Sequence, residues 1–185
     1  DLGYYNAFVG KWHIGHDGHH PIDQGFDRQI GTTNWGNPKS YNAPFFKKGT
    51  PAYQEVKEGY LTDKLTDDTI AFINEHDSKQ PFMLSFWYYS VHSPFHGRPD
   101  RVKHFERKGL SGKQAHYAAM IQSVDLSVGR IRDALKAKGI AENTVILFLS
   151  DQGGAFDNGP LRGGKYVDTL YEGGSRVPFI VNWLG

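Results

Sequence analysis

Apolar and polar residues fall in blocks along this chain, and the spacing inside each block predicts its structure. Residues 4 to 12 are aromatic and apolar and close on Ala7-Phe8-Val9-Gly10-Lys11-Trp12, which predicts a short strand near residues 6 to 10. From His13 to about Gly59 the chain is polar and glycine-rich, with no sustained period. A loop of that length inside a domain is usually functional or poorly ordered. Leu61, Leu65, Thr69, Phe72 and Ile73 share one helical face, so a helix is expected from Leu61 to Glu75. Phe82 to Tyr88, preceded by Pro81, reads as a buried strand. Ala118, Ile121, Val124, Val128, Ile131 and Leu135 recur every three or four residues, predicting a helix from about Lys113 to Lys138 with Gly139 as its left-handed cap. Thr144 to Leu149 is apolar on both faces, as a central parallel strand would be. Val177 to Trp183 supplies a further strand. Strand, helix and strand with short joints form a right-handed crossover. The expected class is therefore α/β, with a mainly parallel sheet sandwiched by helices.

Composition narrows the partners. The 185 residues suit one domain, and 38% hydrophobic with 22% charged residues is a globular mixture. With 21 Lys and Arg against 20 Asp and Glu, there is no basic excess for a nucleic-acid face. The chain has no Cys, which excludes disulfides and thiolate metal sites. No apolar run approaches the roughly 20 residues of a membrane span. The chain opens on Asp1-Leu2-Gly3-Tyr4 without a Met, so we read its start as a cut within a longer protein.

Candidate chemistry gathers where strands end, which is where open α/β sheets bind ligands. The first strand leads into Lys11 and His13, the second into His92 and His96, and the third into Asp151 and Gln152. Arg162-Gly163-Gly164-Lys165 precedes the last strand. Lysines suit an anionic, oxygen-rich group, and histidines move protons near neutral pH. Asp beside Gln offers hard oxygen ligands for calcium or magnesium. Together these residues suggest hydrolysis of an anionic ester, sulfate or phosphate. Plainer readings stand beside this one. His16, His19 and His20 suit a solvated loop, His92-Ser93-Pro94 a turn, Asp151 a helix cap, and Lys165 a surface loop. Gly159 with Gly164-Lys165 approaches a phosphate-binding P-loop, but Tyr166 stands where that motif needs Ser or Thr.

The motifs, in order, resemble those of the type I sulfatases, the arylsulfatase family of the alkaline-phosphatase-like superfamily. Gly10-Lys11-Trp12-His13-Ile14-Gly15 is similar to that family's Gly-Lys-Trp-His-Leu-Gly signature, and Val91-His92-Ser93-Pro94 to its His-x-Pro loop. Ser150-Asp151-Gln152-Gly153-Gly154 is similar to its Ser-Asp-Asn-Gly metal motif. Leu161-Arg162-Gly163-Gly164-Lys165, followed by Arg176-Val177-Pro178, is similar to its Leu-Arg-Gly-Gly-Lys to Arg-Val-Pro stretch. The resemblance covers nearly the whole chain. It implies an alkaline-phosphatase-like fold, incomplete at the N-terminus, with residues 1 to 185 as a partial catalytic domain. It implies hydrolysis of sulfate monoesters on a small molecule or carbohydrate, with Ca2+ or Mg2+, in a periplasmic or secreted parent protein.

By the same resemblance Lys11 holds the sulfate and the nucleophile's hydroxyl, while His13 hydrogen-bonds that nucleophile. His92 and Lys165 bind the sulfate and assist the leaving alcohol, and Asp151 ligates the metal beside Gln152. The family's nucleophile, a Cys or Ser in Cys/Ser-x-Pro-x-Arg that becomes formylglycine, has no counterpart in this chain. Nor do its paired N-terminal aspartates. Gln152 stands where the family usually has Asn, one methylene shorter. The expectation is an incomplete site that binds metal weakly and does not turn over alone. The alternatives are a phosphate or phosphonate monoester hydrolase of the same superfamily, a non-catalytic module for sulfated ligands, or a metal-binding domain built on the histidine loop. Trp35, Tyr41, Phe45 and Phe46 are candidates for lining the alcohol side of a substrate.

Overall fold

Ala7-Phe8-Val9 becomes the middle of strand β1 (Tyr5–Lys11), and all three side chains are fully buried. Burial on both faces marks a central strand. β1 lies between β2 (Arg28–Thr33) and β3 (Phe82–Trp87) and is parallel to both. The computed structural model describes residues 2–77, 79–166 and 169–183, which fall into two compact units, 1–138 and 139–185.

In the first unit, helix α1 (Leu61–Glu75) forms where the apolar period places it, and all five stripe residues are buried. It connects β2 to β3, and its Leu61 and Leu65 join Val9, Tyr41, Phe45, Tyr89 and Met120 in the main core. Phe8 points to the other face of β1. There it meets Trp12, Phe26 and Trp87 edge-on, with ring centroids 5.0, 5.4 and 5.1 Å away. Helix α3 (Gly112–Ala137) ends as expected, with Gly139 at φ 76°.

The buried face of α3 differs from the expected stripe. Ala115, Ala119, Met120, Ser123 and Ser127 are buried with Leu135, whereas Ile121 is 48% exposed. Small residues win here because α1 packs close by, presenting Thr62, Thr66 and Thr69. Their hydroxyls are satisfied locally: Thr66 Oγ1 lies 2.6 Å from Thr62 O and 2.6 Å from Ser127 Oγ, and Ser123 Oγ donates to Ala119 O. A buried polar contact of this kind leaves no apolar period to read.

Two elements escape the apolar pattern. β2 sits inside the expected loop; it is a short edge strand with one large apolar residue, Ile30, and is held by its register with β1. α2 (Pro99–Arg107) buries only Val102. Pro at its first position, Asp100 in its first turn and His104 and Arg107 in its last turn define it instead.

In the second unit, β4 (Ile146–Leu149) pairs antiparallel with β5 (Phe179–Asn182), which corrects the expected central parallel strand and its crossover. Leu147 and Leu149 are 57% and 58% exposed, so the apolar run does not signal burial on both faces in this unit. Between the strands a glycine-rich loop and the one-turn helix α4 (Glu172–Ser175) reverse the chain. No helix of the described residues is long and apolar enough to cross a membrane.

Candidate active site

Parallel pairing brings three strand ends to one edge of the first unit's sheet. Gly10 pairs with Trp87 and Lys11 with Thr33, so the residues after β1, β2 and β3 leave side by side. Lys11 and His13 come from the first exit and His92 from the third. The register of β1 against β2 slips between Val9 and Lys11, a bulge of the kind that re-aims a side chain. Gly10 sits there at φ 96°, and a Cβ on it would collide with the Trp87 carbonyl oxygen. The first glycine of the Gly-Lys-Trp-His run is thus required by the close approach of β3.

Trp12 of the same run is structural. It is buried, stacks on Trp87 at 5.9 Å, and donates from Nε1 to His19 O at 2.7 Å, which folds the histidine loop back on the sheet. The chain then turns at His13, whose φ of 54° is in the left-handed region. A non-glycine residue held there is a common mark of functional positions. The His13 ring rests on Gly36, where an added Cβ would sit 2.5 Å from His13 Nδ1 and Cε1. His16 is exposed with Nδ1 2.8 Å from Asn34 Nδ2, and His19 is exposed.

Two tyrosines fix the edge. The Tyr89 hydroxyl lies 3.1 Å from Thr33 Oγ1 and 3.2 Å from Gly31 O, tying the exit of β3 to the end of β2. Burial pushes its phenol up to about 12. Tyr41, fully buried, places its hydroxyl on the carbonyls of Tyr89 and of His92, the latter at 3.0 Å. Burial raises its phenol as well, so it stays a neutral donor. His92 Nδ1 lies 2.9 Å from Ser93 O. A carbonyl only accepts, so Nδ1 carries the proton and Nε2 is the basic nitrogen.

The second unit gathers Asp151, Gln152 and Lys165 by a different device. Gly153 N donates to Gly174 O at 2.8 Å, Gly173 N to Arg162 O at 2.7 Å, and Lys165 N to Gly154 O at 3.0 Å. Asn158 closes the loop: its Nδ2 reaches the carbonyls of Gly154, Phe156 and Gly163 at 3.1, 2.8 and 3.2 Å, and its Oδ1 accepts from Gly154 N at 3.0 Å. A Cβ on Gly153 would overlap the Gly173 carbonyl. The backbone of Lys165 is thereby held against the segment that follows Asp151-Gln152. Asp151 is exposed, Gln152 is half-buried, and the Gln152 carbonyl accepts from Ser150 Oγ at 2.8 Å.

A family model described as Sulfatase matches residues 1–185. The chain belongs to the sulfatase family. It is 32% identical to N-acetylgalactosamine-6-sulfatase of Mus musculus over 99% of its length and 38% of that protein's. It is 37% identical to a sulfatase of Formosa agariphila over 80% of its length and 28% of that protein's. The crystal structure of Ps i-CgsB in complex with k-i-k-neocarrahexaose superposes with a TM-score of 0.78 at 32% identity, covering 98% of this chain and 45% of that one. The chain therefore spans less than half the length of these relatives. Its α/β fold, with a parallel sheet and helices, is the alkaline-phosphatase-like fold of the sulfatases.

Sulfatases as a family use a divalent metal, and the described residues do not make a complete site for one. Calcium takes six to eight oxygens. Among the described residues no group of three or more His, Asp or Glu is placed to hold an ion, the histidine loop included. Asp151 and Gln152 bear side-chain oxygens, the donor type that such a site needs.

The residues that hold the sulfatase motifs in place were the ones hidden from sequence reading. Tyr41, Phe45 and Phe46 are buried core rather than liners of an alcohol site, while Trp35 is half-exposed with Lys47 Nζ 4.7 Å above its ring. Tyr89 and Gly36 carried no signal beyond their residue type, because each acts through contacts distant in sequence; Asn158 carried none because its partners, two to five residues away, are backbone groups.

Proposed function

We propose that the protein containing this chain hydrolyses sulfate monoesters of carbohydrates, and that residues 1–185 form part of its catalytic domain. The observation that carries this reading is the shared sheet edge, where Lys11, His13 and His92 leave adjacent parallel strands. Lys11 holds the sulfate as a point charge and His13 steadies the attacking group. His92, whose Nδ1 is held on the Ser93 carbonyl, presents Nε2 to the departing alcohol and, when protonated there, gives it the proton it needs. Lys165 binds the sulfate, and Asp151 and Gln152 contribute to a calcium or magnesium site. The metal, when bound, polarises the sulfate oxygens. The nucleophile, a formylglycine by family resemblance, is supplied from outside residues 1–185.

Carbohydrate is favoured because the relatives include N-acetylgalactosamine-6-sulfatase, and Ps i-CgsB is in complex with a neocarrahexaose. The test is sulfate release by the full-length protein from N-acetylgalactosamine 6-sulfate and from k-i-k-neocarrahexaose, measured by ion chromatography. Turnover of either is expected, with His92→Ala and Lys165→Ala each lowering kcat/KM roughly 100-fold or more. Release of phosphate from a phosphate monoester, with no sulfate released from either sugar, would overturn the reading. Residues 1–185 alone are expected to leave p-nitrophenyl sulfate intact.

A further inference from the structure

His92 closes a four-residue turn that begins at Tyr89, and different parts of the first unit hold that turn. His92 N donates to Tyr89 O at 3.0 Å, which closes it. The Tyr89 hydroxyl ties its start to Thr33 and Gly31 of β2. Ser90 Oγ lies 2.8 Å from Oγ1 of Thr62, a buried residue in the first turn of α1. The Tyr41 hydroxyl meets the carbonyls of Tyr89 and His92, and so touches both ends of the turn at once.

Tyr41 is fixed in its own right. It is fully buried, with its ring 6.1 Å from that of Tyr60, and its carbonyl accepts from Leu61 N at 2.8 Å where α1 starts. Burial holds its phenol well above the ordinary value, so the hydroxyl keeps the proton that it shares between two acceptors.

The tethers to β2 and α1 end on Tyr89 and Ser90, two or three residues short of the imidazole. Tyr41 reaches the His92 backbone itself. The next carbonyl belongs to the ring, since His92 Nδ1 lies 2.9 Å from Ser93 O. Consecutive carbonyls are thus held, that of His92 by Tyr41 and that of Ser93 by the imidazole. Turning the peptide plane between them would swing the ring and carry Nε2 with it. A group that transfers a proton works within hydrogen-bond reach, about 2.6 to 3.2 Å, and a displacement of about 1 Å can cost up to roughly 100-fold in rate.

We propose that Tyr41 is a positioning residue for protonation of the leaving alcohol: its hydroxyl fixes the His92–Ser93 peptide, and so the place where His92 presents Nε2. The assignment rests on the sulfatase reading above. It separates two classes of ester. A sugar alkoxide is a poor leaving group and departs with a proton, whereas p-nitrophenolate is stabilised and departs without one. Loss of the Tyr41 hydroxyl therefore weighs more on a sugar sulfate than on an aryl sulfate. A hydroxyl that served packing alone would weigh on both alike.

The experiment compares kcat of the full-length protein for p-nitrophenyl sulfate and for whichever of N-acetylgalactosamine 6-sulfate and k-i-k-neocarrahexaose it hydrolyses. Tyr41→Phe removes the hydroxyl and keeps the buried ring. It is expected to lower the ratio of sugar to aryl kcat about tenfold, part of the 100-fold or more that a general acid supplies. An unchanged ratio, whether both rates fall together or neither falls, overturns the proposal. Should that variant fail to fold, 3-fluorotyrosine at position 41 keeps the ring and the hydroxyl but alters its strength as a donor; a shifted ratio then supports the proposal and an unchanged one overturns it. If the wild type releases sulfate from no sugar, the carbohydrate sulfatase reading fails, and NMR of the protein with 15N-labelled histidine decides the positioning role. A change in the His92 Nδ1 and Nε2 signals on Tyr41→Phe supports it; identical signals overturn it.

Discussion

The two units hold their candidate residues by opposite means. In the first, Lys11, His13 and His92 are placed by side chains: Phe8, Trp12, Tyr41 and Tyr89 are buried, and their rings and hydroxyls fix where the strands end. In the second, Asp151, Gln152 and Lys165 are placed by backbone. Gly164, Gly173 and Gly174 are buried, and carbonyls and amides meet directly with Asn158 as the linking side chain. Packing spreads its tolerance over many contacts and yields by degrees. A backbone contact has no spare volume, so one added methyl group breaks it.

Substitutions can separate the two designs. The largest effect belongs to Phe8→Ala, which removes a fully buried ring from three aromatic partners. A loss of about 3 to 5 kcal/mol is expected, read by denaturant unfolding. Gly153→Ala comes next at roughly 3 kcal/mol, although it adds only one carbon, because that carbon overlaps the Gly173 carbonyl. Amide exchange should show lost protection at Gly173 and Lys165; full protection in this variant would break the comparison.

A smaller effect comes with pH. The Tyr89 phenol ordinarily titrates near 10, and burial holds it up to about 12. Its neutral form is therefore favoured by folding. The stabilisation is complete below pH 10 and is lost as pH rises from 10 through 12, by an amount on the order of 2 to 3 kcal/mol. Tyr88 is raised to about 12 in the same way. Tyrosinate absorbance followed together with circular dichroism should show both transitions coinciding. The smallest effect is Glu75→Gln, at the exposed pair with Arg28 at 3.4 Å, where less than about 0.5 kcal/mol is expected from thermal melts.

Residue type made the chemistry legible, and period made the helices legible. Lys11, His13, His92, Asp151 and Lys165 stood out because cations, imidazoles and a carboxylate followed apolar runs. α1 was readable because its stripe is apolar. The buried face of α3 was not, since Ser123 and Ser127 satisfy their hydroxyls within the helix pair and look polar in sequence. β2 was hidden because an edge strand needs few apolar residues. The pairing of β4 was hidden because an apolar run does not state its partner's direction. Tyr41 and Tyr89 were hidden for a further reason: a positioning residue is defined by its contacts, and theirs lie 48 residues away for Tyr41 to Tyr89 and 56 for Tyr89 to Thr33.

The parallel order β2-β1-β3 also sets a timetable. Tyr5 of β1 pairs with Phe82 of β3, so β1 must wait for 77 more residues before this neighbour exists. At translation rates of about 5 to 20 residues per second, that wait is on the order of 4 to 15 seconds. Throughout it, Ala7-Phe8-Val9 is an apolar strand with an open edge. The segment that carries the Lys11 and His13 signature is thus made well before the strand that closes its second edge.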